Sequence, residues 1–139
     1  MKYLLYVPML AITLIAYNVL MLTGNSIAEN PDVIRIPLMA NDEAMFLKVG
    51  DILVMLGVIF LYFEILKATR ASRTTIIDHA LSLVVFIIYL VEYIVVAGAG
   101  TATFMILALI SLLDVIAGFT ITISTSRRDI SFGGGDGGL

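Results

Sequence analysis

The chain has no cysteine, a single histidine and few charged residues. Without cysteine it cannot form disulfides, Cys-ligated zinc sites, Fe–S clusters or a thiol nucleophile. Haem and copper sites usually need at least one or two histidines, so the single histidine argues against them as well. The net charge of −3 provides no basic excess for a nucleic-acid partner. We therefore expect neither a metal centre nor a cofactor, and no binding to nucleic acid.

The scarcity of charge accompanies a very apolar composition. Of the 139 residues, 60% are hydrophobic and 14% are charged, and the mean hydropathy is +1.07. Ordinary soluble domains are nearer half apolar and a quarter charged. The composition therefore indicates a membrane protein, and the length suits one compact bundle of helices.

Four apolar stretches predict four transmembrane helices. A helix needs roughly 20 residues to cross a ~30 Å hydrocarbon core. The first and fourth stretches meet this length, and the second and third reach it with flanking residues that can stay helical. We expect an all-α membrane protein, a four-helix transmembrane bundle within residues 1–128, followed by a flexible glycine-rich cytoplasmic tail over 129–139. The predicted helices cover residues 4–22, 50–70, 76–97 and 102–124.

The one long connection, between helices one and two, predicts a short extracytoplasmic β-hairpin or loop. Residues 33–38 and 44–49 read as two short extended runs, and residues 40–43 between them are typical of a turn. The link at 98–101 is so short that helices three and four must form a tight antiparallel pair.

The basic residues predict the orientation. If four helices alternate, six of the eight basic residues fall on one side and two on the other. Because cytoplasmic loops are enriched in Lys and Arg, the side with six is the predicted cytoplasmic side, and both termini lie there. The six are Lys2, Lys67, Arg70, Arg73, Arg127 and Arg128, and the two are Arg35 and Lys48.

Four acids lie within or at the edge of the predicted helices, where a carboxylate is costly and often functional. Measured from the outer helix ends by the helical rise, Asp51 lies at roughly 2 Å, Glu92 at about 8 Å, Asp114 at about 18 Å and Glu64 at about 21 Å. Such a ladder of carboxylates could pass protons or bind a cation.

Two of these acids have a simple structural interpretation. Glu64 lies three residues before Lys67, and Asp51 lies three residues after Lys48. Oppositely charged residues at this spacing pair on a helix surface, and both pairs would lie at a membrane boundary.

The other two acids are harder to explain in this way. Glu92 could accept a hydrogen bond from Tyr17, Asn18 or a threonine of another helix. Asp114 is too deep to reach water, so it must be protonated, hydrogen-bonded within the bundle or facing a wet cavity. His79, at the predicted cytoplasmic boundary, is interpreted as structural or solvated.

Helix four carries a stripe of small and polar residues spaced by three or four positions. Such a face lets another helix approach closely and bond to its hydroxyls, and the alternative is a polar path. A suggested mate is the face of helix two that contains Gly50, Gly57 and Glu64. The stripe consists of Ser111, Asp114, Gly118, Thr122 and Thr125.

Four segments, residues 50–51, 63–70, 114–119 and 127–129, give the chain a resemblance to a group of small proteobacterial inner-membrane proteins of four helices. The resemblance covers most of the chain after residue 33. It implies a recurring module of the bacterial inner membrane, with a short outer hairpin leading into helix two. The group has no known activity, so the resemblance assigns no functional residue.

No phosphate-binding loop, Ser/His/Asp set or other catalytic motif is present in the sequence. The sequence therefore predicts a non-enzymatic inner-membrane protein in contact with lipid, an accessory or scaffold subunit of a membrane complex or a self-associating assembly. It would pack through its polar, small-residue helix faces. The alternative is an oligomeric proton or cation conduit that uses Asp114 and Glu92. A third hypothesis, an enzyme acting on lipid, would require a polar cluster at one interface.

Overall fold

The computed structural model describes residues 7–24, 33–37, 44–69 and 75–132, and within the last range the side chains of 77–124. These residues form four α-helices, two strands and one 3₁₀ turn. The elements are α1 (Leu10–Leu22), β1 (Ile34–Pro37), β2 (Ala44–Leu47), α2 (Val49–Ala68), α3 (Thr75–Val95), the 3₁₀ turn (Ala97–Ala99) and α4 (Ala102–Phe132).

Three of the helices are long and apolar enough to cross a membrane. These segments are Val49–Ala68, Ile77–Val95 and Ala102–Ser124, with mean hydropathies between 1.8 and 2.4. Many isoleucine, leucine and valine side chains on these helices are exposed, which is the surface expected of helices that face lipid. The predicted helical bundle with a small hairpin is confirmed, and its insertion in a membrane is taken up below as a proposal.

The first helix is shorter than predicted. Residues 7–9 are not helical, and α1 has 13 residues, which span about 20 Å against a ~30 Å core. The cause is Pro8, because proline lacks a backbone N–H and disfavours helical backbone in the residue before it. The rest of the predicted start, at residues 4–6, lies outside the described part of the chain.

The fourth helix is longer than predicted. It runs to Phe132, past the predicted end at residue 124 and through the first residues of the predicted tail. No glycine or proline interrupts residues 119–132, and a run of three glycines begins at Gly133. Because glycine is a poor helix former, the sequence has no reason to end the helix earlier. The remainder of the predicted tail, 133–139, lies outside the described residues.

The helices alternate in direction. Met9, just before α1, contacts Glu64 near the end of α2, and the 3₁₀ turn joins α3 to α4 as an antiparallel pair. Thr101 precedes α4, and its hydroxyl accepts the Phe104 N–H at 3.2 Å, as an N-cap does. We call the end of the bundle that contains Lys67 the Lys67 end, and the opposite end, where the strands lie, the hairpin end.

The core of the bundle is apolar and aromatic. Tyr17 and Tyr89 pack against Phe104, with ring centroids 4.6 and 5.1 Å apart, and all three side chains are fully buried. Gly57 lets α2 approach α4 closely, since a Cβ there would lie 2.9 Å from Leu107 Cδ2. The aliphatic side chains buried in the same core are Leu10, Leu14, Leu53, Val85, Ala99, Leu107 and Ile110.

The two strands form the predicted hairpin. They pair antiparallel, with Ile34 opposite Leu47 and Pro37 opposite Ala44. Leu47 also accepts the Val33 N–H at 2.8 Å. Lys48 alone separates β2 from α2, so the hairpin lies at the beginning of α2. The predicted turn at 40–43 lies outside the described residues.

Candidate functional site

Seven polar side chains meet between α2, α3 and α4 near the Lys67 end, and five of them are almost completely buried. Glu64, His79, Ser82, Ser111 and Asp114 each expose between 1% and 6% of their surface. The side chains of Lys67 and Asp78 expose 29% and 16%, so the group opens toward this end. We call this set the buried polar cluster: Glu64, Lys67, Asp78, His79, Ser82, Ser111 and Asp114.

Glu64 joins the end of α2 to the beginning of α1. Its Oε1 accepts the backbone N–H of Met9 at 2.6 Å, and its Oε2 lies 3.4 Å from Lys67 Nζ. The first N–H groups of a helix have no partner within the helix, and the positive end of the helix dipole favours a carboxylate there. The predicted pairing of Glu64 with Lys67 is present, but Glu64 is buried in the bundle rather than at a helix surface.

Lys67 lies between two carboxylates. Besides Glu64, its Nζ lies 3.7 Å from the Oδ2 of Asp78 on α3. The Oδ1 atom of Asp78 is buried and has no hydrogen-bond partner among the described residues. One ammonium group therefore serves two carboxylates that belong to different helices.

Asp114 lies deeper in the same cluster. Its side chain is hydrogen-bonded to that of Ser82 on α3, and Glu64 and Lys67 are near enough to act on it electrostatically. Its Oδ2 atom has no partner within the described part of the chain. The sequence leaves three possibilities for Asp114: a protonated carboxyl group, a hydrogen bond within the bundle or a wet cavity. The structure has the hydrogen bond within the bundle, which accounts for only one of the two carboxyl oxygens.

His79 belongs to the cluster, whereas the sequence predicted a structural or solvated histidine. It is buried, and a Cβ on Gly118 of α4 would lie 2.6 Å from its Cε1 atom. The ring also packs against Phe119, with centroids 5.9 Å apart, and Nε2 has no partner among the described residues. The missed signal is the spacing along α3, where His79, Ser82, Val85, Tyr89 and Glu92 recur every three or four positions and so share one face.

Most of the stripe on α4 is buried against other helices of the same chain. Ser111, Asp114 and Gly118 are buried, and the Ser111 hydroxyl has no partner in the described part of the chain. The Thr122 hydroxyl donates to the Gly118 carbonyl of its own helix at 2.9 Å. The side chain of Thr125 lies outside the described residues.

The suggested mate of this stripe was correct only in part. Gly50, Gly57 and Glu64 do form a buried face of α2, and Gly57 packs on α4. It meets Leu107 and Ile110, however, whereas Gly118 meets His79 of α3. The part of α4 that contains Leu107 and Ile110 therefore faces α2, whereas Gly118 of the stripe faces α3. Both contacts are possible because α4 lies against both helices.

A second group of hydrogen bonds ties α1 to α3 and to the turn before α4. Asn18 Nδ2 donates to Glu92 Oε2 at 2.7 Å, which is one of the partners expected for Glu92. Tyr17 bonds instead to the Thr101 hydroxyl at 2.6 Å and donates to the Gly98 carbonyl at 3.0 Å. These bonds lie toward the hairpin end and leave Glu92 partly buried and partnered.

Asp51 takes no part in either group. It is exposed in the first turn of α2, and its carboxylate accepts the backbone N–H of Lys48 at 2.9 Å. The expected partner was the Lys48 side chain. The observed bond to the backbone stabilises the start of the helix, so Asp51 has a structural role.

The next polar groups along the bundle lie close to the buried polar cluster. The Tyr89 hydroxyl meets that of Thr13 at 2.9 Å and donates to the Leu10 carbonyl at 3.4 Å. Leu10 follows Met9, whose N–H bonds Glu64. The Glu92 carboxylate, in contrast, bonds to Asn18, and no hydrogen bond among the described residues joins it to the cluster.

The described residues contain no group of three or more His, Asp or Glu side chains arranged to hold a metal ion. The chemistry available to the cluster is therefore hydrogen bonding, ion pairing and the exchange of protons at its carboxyl groups and imidazole.

No protein-family model, no curated protein and no solved structure matches this chain. The geometry of the cluster is thus the basis for any proposal about function, and the resemblance to small inner-membrane proteins stays a prediction.

Proposed function

We propose that this chain is an integral membrane protein that takes up and releases protons at the buried polar cluster, on the side of the membrane where Lys67 lies. The observation that carries the proposal is Asp114. Its carboxyl group is buried in a helix apolar enough to span a membrane, and one of its oxygens has no partner among the described residues. An ionisable group in that position is a functional hypothesis by default.

The balance of charge in the cluster supports a proton as its ligand. Glu64, Asp78 and Asp114 would contribute three negative charges, and Lys67 contributes one positive charge, a net −2 with His79 neutral. Removing charges from water costs several kcal/mol per ion, even in relaxed protein sites. A proton on a carboxyl group removes one of these charges without requiring a coordination shell, which the described residues do not provide for a metal.

The exposure of the cluster supports exchange at one side. Lys67 and Asp78 are its most exposed members, and they lie where α2 ends and α3 begins. A proton that enters past Asp78 would reach Asp114 through polar groups. Glu92, toward the hairpin end, bonds to Asn18 and has no hydrogen bond to the cluster among the described residues.

The membrane itself is part of the proposal. Three helices are long and apolar enough to cross it, and α1 packs beside them although it is shorter. The distribution of Lys and Arg supports placing the Lys67 end in the cytoplasm of a bacterium, with both termini there, in the inner membrane. The buried polar cluster would then exchange protons with the cytoplasm.

The test is proton uptake by the purified protein in liposomes. An acid pulse is applied on the side of the Lys67 end, and a pH-sensitive dye reports the protons bound per chain. We expect the wild-type protein to bind more protons than Asp114→Asn, while Asp51→Asn, a change at an exposed acid of the other end, matches the wild type. Equal uptake by the wild-type and Asp114→Asn proteins would overturn the proposal.

The same liposomes decide whether the protein is a conduit. An oligomeric proton conduit, the alternative predicted from the sequence, requires that the wild-type protein dissipate an imposed proton gradient and that Asp114→Asn stop the flux. Uptake without flux would mean that the cluster binds protons from one side only.

A second candidate is an accessory subunit of a membrane complex, and α4 provides the observation in its favour. The apolar span ends at Ser124, but the helix continues to Phe132, which adds about 12 Å beyond the span. This extension includes Arg127, Arg128 and Asp129, and such a projecting helix suits a protein partner. Proteins that copurify with the full chain in fixed ratio, and are lost when it is truncated after Ser124, would support this role.

A further inference from the structure

We propose that the β-hairpin lies flat on the membrane surface at the hairpin end and binds lipid through one of its faces, with that face toward the acyl chains and the other toward the headgroups. This inference rests on the proposed insertion of the helices in a membrane. It does not depend on proton binding by the buried polar cluster.

The hairpin has two faces of different chemistry. Residues directly opposite each other in an antiparallel pair point to the same side, and successive residues alternate. The register therefore places Ile34, Ile36, Met45 and Leu47 on one face, which we call the apolar face. The other face carries Arg35, Pro37, Ala44 and Phe46.

Both cations of this region belong to the face opposite the apolar one. Lys48 continues β2 in an extended conformation, with φ −93° and ψ 165°. It follows Leu47 and therefore lies on the same side as Arg35 and Phe46. This face also carries Phe46, which is 49% exposed, so the two faces differ in charge: one has two cations and the other has none. Cationic side chains near a membrane surface are attracted to anionic phosphate groups.

The apolar face is not covered by the described part of the chain. Ile34, Ile36 and Met45 are 46%, 39% and 49% exposed, and the principal contacts of each strand are with the other strand. A two-stranded hairpin is at best marginally stable in water without a surface to pack on. A face with this composition therefore needs an apolar partner.

The connection to α2 identifies that partner as lipid. Only Lys48 separates β2 from α2, the helix whose apolar span begins at Val49. The hairpin is thus held within a residue of the point where the chain enters the proposed hydrocarbon core, at the depth of the headgroups. An amphipathic element at that depth buries its apolar side in the boundary between headgroups and acyl chains.

The test uses single-cysteine variants of the full chain, which has no cysteine of its own. Nitroxide labels are placed at Ile36→Cys and Met45→Cys on the apolar face, and at Arg35→Cys and Ala44→Cys on the other. A label at Ile59→Cys, in the middle of α2, serves as the membrane control. The protein is reconstituted in vesicles of phosphatidylcholine and phosphatidylglycerol, and the accessibility of each label to oxygen and to a water-soluble nickel chelate is measured.

We expect the labels on the apolar face to be severalfold less accessible to nickel and more accessible to oxygen than the labels on the other face. If both faces are equally accessible to nickel while Ile59→Cys is protected, the hairpin projects into water and the inference is wrong. If the apolar face is shielded from both reagents, a protein surface covers it, and lipid binding is equally contradicted. If the Ile59→Cys label is itself open to nickel, the proposed membrane insertion fails first.

Discussion

The Glu64 carboxylate accepts the backbone N–H of Met9 across 2.6 Å, although the two residues lie 55 positions apart in the chain. A side chain from the end of α2 thus bonds to the residue just before α1, at the point where Pro8 has delayed the helix. The same carboxylate belongs to the buried polar cluster through Lys67. The position of α1 is therefore coupled to the charges of the cluster.

This bond predicts a large effect on stability when Glu64 is removed. In Glu64→Leu the Met9 N–H loses its acceptor and Lys67 loses a partner, so we expect the free energy of unfolding to fall by about 2 kcal/mol. Glu64→Gln keeps an acceptor oxygen and should lose less. Unfolding followed by circular dichroism in detergent micelles measures both. Asp51→Asn, a carboxylate that bonds a backbone N–H at an exposed site, is the control for a general effect of losing charge. A Glu64→Leu protein as stable as the wild type would show that the contact contributes nothing.

The bond between Asn18 and Glu92 predicts coupling between α1 and α3. Each of Asn18→Leu and Glu92→Leu breaks the same 2.7 Å hydrogen bond, so the double variant should be less destabilised than the sum of the two single variants. Hydrogen bonds between membrane helices typically contribute about 1 kcal/mol in such cycles. The same unfolding assay is applied to the wild-type protein, the two single variants and the double variant. Strict additivity would mean that the two side chains do not interact energetically.

The close approach of α3 to α4 predicts that Gly118 does not tolerate a side chain. In Gly118→Ala the new Cβ would lie 2.6 Å from His79 Cε1, so the imidazole must move, and overpacking of this kind costs about 1–3 kcal/mol. That cost exceeds the gain of up to about 1 kcal/mol in helix propensity. The expected result is a lower unfolding temperature, restored when His79→Ala is added.

Gly57→Ala is the matched control for this variant. Gly57 is also buried in a helix, so its replacement gains the same helix propensity. Its new Cβ would meet the terminal Leu107 Cδ2 at 2.9 Å, and a terminal methyl group can shift more easily than a ring packed between two residues. We expect Gly57→Ala to be less destabilised than Gly118→Ala. The reverse order would mean that the His79 ring is not fixed by its surroundings.

The fold was largely predictable from the sequence, because apolar length and turn residues act locally. Four apolar stretches predict four helices, and two extended runs around a turn predict the hairpin. The start of α1 was missed because its apolar run continues through Pro8, whose effect on the backbone outweighs hydropathy. The end of α4 was missed because the prediction stopped at the end of the apolar run, although the polar residues that follow are compatible with a helix.

The site was predictable only in parts. Asp114 and Glu64 were recognisable one at a time, since each is an acid within an apolar helix. Their common cluster depends on the packing of α2 and α3 against α4, which no local pattern specifies. His79 was missed for the same reason. It lies near the beginning of its helix, and the approach of α4 at Gly118 and Phe119 buries it.

The central claim is that the Asp114 carboxyl group binds and releases a proton inside the bundle. The most direct measurement is the infrared difference spectrum of the protein in liposomes between an alkaline and an acidic buffer, recorded for the wild-type, Asp114→Asn and Asp51→Asn proteins. We predict that acidification produces a carbonyl band component at the frequency of a carboxyl group in apolar surroundings, and that it disappears on return to alkaline buffer. This component should be missing from the Asp114→Asn spectrum and present in the Asp51→Asn spectrum. Identical difference spectra for the wild-type and Asp114→Asn proteins would contradict the claim.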